Sequence, residues 1–171
     1  INEYLQMILN YMRQNLDQAD LVFQQLSIEK IIKSVVKKYA TFFSQKNLSL
    51  QLGNLEGQVY SDQKWLIFIL EQVIFNAIKY KEDGTISIAF SENQLIIKDT
   101  GMGIRAEDLP RVFEKGYTGM NGREQQRASG LGLYLSQEAA GKLGCHLYLE
   151  SQVKKGTKVT IVFPEEISAF E

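Results

Sequence analysis

Two predicted β-hairpins constrain the fold of this chain more than any other feature of its sequence. The first pairs Thr85–Phe90 with Gln94–Lys98 across a short polar turn, and the second pairs Cys145–Ser151 with Lys158–Phe163. Helical patterns precede the first hairpin and separate the two. Antiparallel hairpins mixed with helices favour an α/β two-layer sandwich over a doubly wound parallel sheet, whose strands need helical crossovers.

Three helices complete the prediction for the main domain, which we expect to begin near Leu21. Ser27 is a plausible N-cap for a helix ending near Gln45, and Asp62 for a long helix reaching about Lys81. A third helix is predicted from Leu131 to Leu143. Short strands are predicted at 48–52 and 58–61, and a short helix at 106–113.

Residues 1 to about 17 predict a separate amphipathic helix with a narrow apolar stripe, made by Ile1, Leu5, Ile8 and Met12. Such a stripe suits a coiled-coil or bundle seam, although a surface helix packed on its own domain gives the same pattern. The chain begins within this helix without a cap. We therefore expect a longer parent protein, divided here into residues 1–20 and a domain at 21–171.

Composition excludes several classes of function. The 171 residues are 44% hydrophobic and 23% charged, which indicates a single globular core. Trp65–Leu70 is the longest apolar run and falls far short of the ~20 residues that cross a bilayer. The 19 basic and 20 acidic residues give no electrostatic footprint for nucleic acid, and Cys145 has no disulfide partner. We expect this part of the protein to lie on the cytoplasmic side, with no nucleic acid partner and no need for membrane contact of its own.

A first polar motif lies on the predicted long helix. Gln72, Asn76, Lys79 and Tyr80 are spaced so that they share one helical face. Amide, ammonium and phenol groups on an otherwise apolar helix suit a binding site, although an ordinary solvated stripe would look the same.

A second motif, Asp99 to Gly103, ends a strand of apolar residues. Gly101 and Gly103 allow the backbone to approach a planar ligand, and a carboxylate at a strand end can accept a hydrogen bond from an amine. Taken alone, the same residues would make a tight turn with a capping aspartate.

A third motif, Gly130 to Leu133, opens the last predicted helix. Free N–H groups and the helix dipole at such a position bind phosphate oxygens. Six of the 13 glycines lie between 101 and 130, in a long irregular stretch of the kind that forms a lid or binding loop. The three motifs together describe a site for a purine nucleotide.

These motifs resemble those of the ATP-binding domain of bacterial sensor histidine kinases. Glu71–Tyr80, Asp99–Gly103, Arg111–Gly116 and Gly130–Leu133 are similar to its N, G1, F and G2 boxes, in that order. The resemblance covers about 21–164, and Phe113–Arg123 is similar to the kinases that sense bacitracin and antimicrobial peptides. It implies a Bergerat-type fold, a mixed sheet under three helices.

The resemblance also implies a role for each matching residue in binding ATP and Mg²⁺. At the phosphates, Asn76 would hold Mg²⁺, Lys79 would contact phosphate, and a helix start would cradle it, made by Gly130, Leu131, Gly132 and Leu133. At the base, Asp99 would bind the adenine amino group, with further contacts expected from Tyr80, Gly101, Gly103 and Ile104. Thr157 resembles a threonine that supports this aspartate through water.

Cations on the glycine-rich stretch are candidate clamps for a polyphosphate. Lys115, Arg123 and Arg127 are so placed, although a charge of this kind, taken alone, is more often simply solvated.

One departure from related ATPases bears on the reaction. Gyrase and the heat-shock chaperones carry a water-activating glutamate four residues before the asparagine, where this chain has Gln72. Glu71 stands one residue earlier, about 140° around the helix from Asn76 at ~100° per residue, and is expected to point elsewhere. This arrangement favours phosphoryl transfer over hydrolysis.

Three functions follow as hypotheses. The first is the catalytic domain of a sensor histidine kinase, with residues 1–20 as the end of a dimerisation hairpin that forms a homodimer and carries the phosphoacceptor histidine upstream. Its partners would be ATP, that hairpin and a response regulator, and its parent would be anchored in the cell membrane. The alternatives are a hydrolase or serine kinase of the same fold, and a non-catalytic nucleotide-binding or dimerisation module.

His146 is the only histidine, which excludes a histidine cluster for a metal. It stands at a predicted strand start with no acidic partner in a helical motif, so we expect a structural role. The chain should therefore not phosphorylate itself.

Overall fold

The computed structural model describes residues 21–79, 83–101 and 129–165, so the predicted helices at 1–17 and 106–113 lie outside the described residues. The described elements are, in chain order, β1 (Phe23–Ser27), α1 (Ile28–Lys38), α2 (Ala40–Gln45), β2 (Leu48–Leu52), β3 (Gln58–Asp62), α3 (Gln63–Lys79), β4 (Gly84–Ser91), β5 (Gln94–Asp99), α4 (Ser129–Lys142), β6 (His146–Gln152) and β7 (Gly156–Val162).

A five-stranded mixed sheet forms the centre of the domain, with strand order β2-β4-β5-β7-β6. β2 runs parallel to β4, and the other neighbours are antiparallel. Both predicted hairpins are present: β4 with β5, and β6 with β7. The α/β sandwich prediction is confirmed.

Alternate strand residues show which face of the sheet is covered. Ile86, Ile88, Leu95, Ile97 and Ile161 are almost fully buried, whereas their strand neighbours are more exposed. These side chains share a core with the apolar residues of α1, α3 and α4. α3 packs against α1, α4 and β5. One face of the sheet is therefore covered by helices and the other faces solvent.

Both predicted helix caps are confirmed. The Ser27 hydroxyl accepts a hydrogen bond from the backbone N–H of Lys30 at 3.3 Å, and Asp62 Oδ1 accepts one from Trp65 N–H at 3.0 Å. Asp62 Oδ2 also accepts from Val22 N–H at 2.9 Å. Asp62 thus links the start of α3 to the segment that immediately precedes β1.

The predicted single helix from Ile28 to Gln45 is wrong, because the chain turns at Tyr39 and forms α1 and α2. Tyr39 N–H bonds to Val36 O at 3.1 Å, the tighter spacing that closes a helix. The turn buries Phe43 in the core and places the Tyr39 ring 6.4 Å from that of Phe75. Aromatic packing across helices outweighs continuation of the helix.

Strand β1 is absent from the sequence-based prediction. It pairs antiparallel with β3 from Phe23↔Asp62 to Ser27↔Gln58, and the rings of Phe23 and Tyr60 lie 5.6 Å apart. Its two central glutamines are exposed, so no apolar alternation marks it. Elsewhere the element boundaries differ by one or two residues, for example at α4, which begins at Ser129.

Within the described ranges, no helix combines the length and the apolar character that crossing a membrane requires.

Candidate functional site

Asn76 carries the clearest sign of a binding site. Its side-chain Oδ1 and Nδ2 are both buried and, in the part of the chain that the structure describes, neither has a hydrogen-bond partner. Leaving a buried polar group unpaired costs about 1–3 kcal/mol. Its helix neighbours Val73, Ile74 and Ala77 are buried apolar residues, so this amide stands out within the packed part of α3. A ligand that bonds both atoms would remove the penalty.

Asp99 is held firmly at the end of β5. Gly101 N–H donates to Asp99 Oδ1 at 2.7 Å, which orients the half-buried carboxylate. The next residue, Thr100, donates its N–H to Thr85 O at 3.2 Å and accepts from Thr85 N–H at its hydroxyl at 3.1 Å. Because backbone on both sides is fixed, the carboxylate can accept a donor on a ligand with little reorganisation.

Gly156 allows β7 to approach the end of β5 very closely. A Cβ at Gly156 would lie 1.9 Å from Asp99 O and 3.0 Å from Thr100 Cα, and the residue has φ of +120°. A side chain is excluded by contact and by backbone conformation together. Sequence reasoning singled out the neighbouring Thr157 and missed this constraint.

Thr157 lies beside Asp99. The β5–β7 ladder pairs Lys98 with Lys158, and its next step places Asp99 opposite Thr157. Both residues alternate with buried strand residues, so their side chains are on the helix-covered face. The Thr157 hydroxyl is 2.8 Å from that of Ser151 on β6, a residue that sequence reasoning also missed.

α4 begins two residues before the predicted helix start at Leu131. Because the helix begins at Ser129, Gly130, Leu131 and Gly132 lie in its first turn, where N–H groups lack an intrahelical acceptor. Leu133 follows directly. α4 packs against α3, the helix that carries Asn76.

Several predicted site residues cannot be placed. Lys79 is the last residue of α3 and its side chain is not described. The others lie outside the described residues, namely Tyr80, Gly103, Ile104, Lys115, Arg123 and Arg127.

Glu71 is bound to a neighbouring helix. Its Oε2 accepts a hydrogen bond from Lys38 Nζ on α1 at 2.9 Å, in agreement with the prediction that it points away from Asn76. This hydrogen bond raises the pKa of Lys38 above its ordinary value. The pKa of Tyr39 is also raised, mainly by burial and then by the charge of Glu71. The carboxylate therefore joins two helices.

The donor set fits a magnesium ion held jointly with phosphate. Asn76 Oδ1 is a hard oxygen donor of the type that Mg²⁺ accepts, and Mg²⁺ usually takes few protein ligands together with substrate phosphates. Among the described residues, no three His, Cys, Asp or Glu side chains cluster to hold a metal alone.

The sequence matches the family described as "Histidine kinase-, DNA gyrase B-, and HSP90-like ATPase" over residues 61–167. The chain belongs to this family. The match includes the helix of Asn76, the strand end of Asp99 and the first turn of α4, which are the elements of the site described above. Family membership supports ATP as the ligand of this domain.

Within this broad family, the sequence relatives of the chain are sensor kinases. The chain is 36% identical over 149 residues to the sensor protein BceS of Bacillus subtilis, which covers 85% of this chain and 45% of BceS. It is 34% identical over 169 residues to the sensor protein kinase GraS of Staphylococcus aureus, covering 96% and 49%. The chain thus spans about half the length of the curated relatives it matches.

A solved structure shows the same fold. The histidine kinase AdeS of Acinetobacter baumannii aligns with a TM-score of 0.72 at 21% identity, covering 94% of this chain and 77% of AdeS. The predicted relationship to the ATP-binding catalytic domains of sensor histidine kinases is confirmed.

Proposed function

We propose that this chain presents the γ-phosphate of MgATP to a histidine upstream in a sensor histidine kinase, for onward transfer to an aspartate of a response regulator. The observation that carries the proposal is the buried amide of Asn76, which has no hydrogen-bond partner among the described residues and lies on a helix that packs against both β5 and α4. A buried amide of this kind is costly unless a ligand bonds it.

Base recognition in this proposal depends on the end of β5. Asp99 Oδ1 already accepts from Gly101 N–H, and a carboxylate has further acceptor positions for the amino group of adenine. Gly101, Gly103, Ile104 and Tyr80 would surround the ring, as the resemblance implies.

Phosphate binding would combine Asn76, Lys79 and the first turn of α4. When bound, Mg²⁺ supplies neutralisation of the phosphate charge, which is the main catalytic need of phosphoryl transfer. Asn76 Oδ1 would be its protein ligand. Lys115 and Arg123 would close over the phosphates as additional cations.

The arrangement around Asn76 favours transfer over hydrolysis. Gln72 occupies the position that carries a glutamate in the related hydrolases, and the Glu71 carboxylate bonds to Lys38 instead. An amide cannot accept a proton from attacking water as a carboxylate does.

The remaining parts of the proposal concern the longer protein. Residues 1–20 would end a dimerisation hairpin, which forms a homodimer and presents the phosphoacceptor histidine. Alignment with GraS over 169 residues supports a continuous relationship through this region. Bacitracin or antimicrobial peptides would be the class of signal, and other segments of the parent would anchor it so that this domain faces the cytoplasm.

The decisive experiment measures transfer from radiolabelled ATP to a separately supplied dimerisation hairpin carrying its histidine. We expect acid-labile phosphate on the hairpin only when this chain and Mg²⁺ are present. No labelled phosphate is expected on this chain, because His146 is exposed on the solvent-facing side of β6, opposite the face of Asp99. Label on His146 would contradict the proposal.

A binding measurement separates the alternatives. Isothermal titration with MgATP should give binding that Asp99→Asn weakens strongly, with Ser87→Ala on the other face of the sheet as a control. Binding without transfer would favour a non-catalytic module, and rapid steady hydrolysis would favour a hydrolase. No binding, or binding unaffected by Asp99→Asn, would refute every nucleotide-binding interpretation of this site.

A further inference from the structure

The last turn of α3 is anchored from outside the helix. Lys46 Nζ donates a hydrogen bond to the backbone carbonyl oxygen of Ile78 at 3.2 Å, in a partly buried contact between residues 32 positions apart. α3 ends at Lys79, so Ile78 carries one of the four final carbonyls that have no N–H donor within the helix. A lysine from another segment therefore closes the end of this helix.

The backbone that carries Lys46 is itself fixed. Lys46 is the C-cap of α2, and its N–H donates to Phe42 O at 3.0 Å. Asn47 follows with a positive φ of 54°, and β2 then begins at the buried Leu48, which pairs with Gly84 of β4. Because β2 is an outer strand of the five-stranded sheet, Lys46 connects the end of α3 to the edge of that sheet.

The anchored turn is the one that carries the proposed phosphate-binding residues. Asn76 and Lys79 are both among the last four residues of α3, on either side of Ile78. The terminal turns of helices open at little cost unless a contact holds them. Opening of this turn would displace the Asn76 amide and the backbone of Lys79, so the hydrogen bond from Lys46 keeps both residues in place.

The charge of Lys46 also suits a neighbouring phosphate. The C-terminal end of a helix carries about half a negative charge, which repels phosphate oxygens, whereas the N-terminal turn of a helix such as α4 attracts them. A cation bonded to a terminal carbonyl offsets the negative end. Lys46 therefore makes the end of α3 less unfavourable for an anionic ligand than a bare helix end would be.

We propose that Lys46 is a positioning residue for the phosphate part of the nucleotide, because its ammonium group holds the last turn of α3 and offsets the negative charge of that helix end. Lys46 acts through α3 and is not itself assigned a contact with the nucleotide. Asp99 is held by a separate hydrogen bond from Gly101 N–H, so base binding should not depend on Lys46. The inference rests on the proposed nucleotide site.

The test compares two ligands of the full chain: adenosine, which has only the base and the ribose, and ADP with Mg²⁺, which adds the phosphates. Isothermal titration gives a dissociation constant for each, and their ratio measures what the phosphates contribute to binding. Lys46→Met keeps an unbranched apolar side chain and loses the charge and the donors. We expect the affinity for ADP to fall about fivefold and the affinity for adenosine to stay unchanged.

Three further variants separate positioning from net charge. Lys46→Arg keeps a cation with several donors on a long side chain, so it should restore the native ratio. Lys46→Gln, a second uncharged variant with a shorter side chain, should behave as Lys46→Met does. Lys33→Met is the matched control, because it removes the same charge from an exposed lysine of α1 that bonds to Glu29 at 2.8 Å. It should leave both affinities unchanged.

Each outcome bears on one proposal or the other. If the native chain does not bind ADP, the proposed nucleotide site is wrong. If it binds ADP, but both uncharged variants at position 46 keep the native ratio or weaken adenosine equally, Lys46 has a purely structural role and the nucleotide site stands. An equal loss of ADP affinity in Lys33→Met would also overturn the positioning role, because net charge alone would then explain the effect.

Discussion

Substitution of Gly156 by alanine tests the geometry of the site most directly. The added Cβ would lie 1.9 Å from Asp99 O, whereas ordinary contact begins at 3.4 Å, so the two strands must separate by about 1.5 Å. Overpacking of this kind costs about 1–3 kcal/mol, and a positive φ adds about 1–2 kcal/mol for a residue with a side chain. We expect the free energy of unfolding to fall by about 2–5 kcal/mol.

Nucleotide affinity should fall as well, because the displaced backbone carries Asp99. Misplacement of a binding group by about 1 Å commonly costs up to a hundredfold, so we expect ADP to bind at least about tenfold more weakly in the folded variant. Urea denaturation measures the first effect, and isothermal titration below the unfolding transition measures the second.

Gly141→Ala is the control for these measurements. No atom lies within 4 Å of a Cβ at Gly141, on α4, so alanine should leave ADP affinity unchanged and raise stability by up to about 1 kcal/mol. Native stability and native ADP affinity in Gly156→Ala would refute the close approach of β7 to Asp99.

Four further predictions concern individual side chains. Asp62→Ala removes two backbone hydrogen bonds from a residue only 7% exposed, and should cost about 2–3 kcal/mol in urea denaturation. Glu71→Gln should leave ATP hydrolysis unchanged and cost at most about 1 kcal/mol of stability, since the ion pair with Lys38 is partly exposed. Burial raises the pKa of the Cys145 thiol to about 12, so the folded chain should resist thiol reagents at pH 8. Asn76→Leu should abolish MgATP binding and raise stability by about 1 kcal/mol, because no described residue pairs with the buried amide.

These predictions have clear contrary outcomes. Asp62→Ala with native stability would mean that neither hydrogen bond matters, and loss of hydrolysis in Glu71→Gln would make Glu71 a catalytic base. For Cys145, the unfolded thiol ionises near pH 9 while the folded one stays protonated, so stability should fall as the pH rises from about 9 toward 12. Stability that increases over this range would contradict the burial of the thiol. A lower free energy of unfolding in Asn76→Leu than in the native chain would contradict the cost assigned to the buried amide.

Local chemistry explains why much of the fold could be predicted from sequence. Ser27 and Asp62 cap their helices through bonds to residues three positions later, and the hairpin turn at Glu92 and Asn93 adopts the positive φ angles that polar turn residues tolerate. Alternation of apolar residues marked β4, and a short run of apolar residues, Leu95 to Ile97, marked β5. The residues that form each of these features lie within a few positions of one another, so the features can be recognised from the sequence.

Long-range contacts explain most of what could not be predicted. β1 is fixed by pairing with β3, and the break at Tyr39 is accompanied by packing against Phe75. At the site, the need for Gly156 arises from Asp99, which is distant in the sequence and adjacent only in the folded sheet. Ser151 had no motif of its own, and only the register of β6 with β7 brings it to Thr157.

The base-binding end of the site and the part around Asn76 are organised in different ways. Asp99 and Thr157 are positioned by bonds that the sheet and its adjacent turn make without ligand, so the base-binding end is already organised. Among the described residues, nothing pairs with either polar atom of Asn76, and the folded chain bears that cost until a ligand arrives. Binding should therefore stabilise the chain through Asn76 more than through Asp99. A packed apolar side chain at position 76 would make a more stable protein, and its absence there indicates a helix whose sequence is shaped by what it binds.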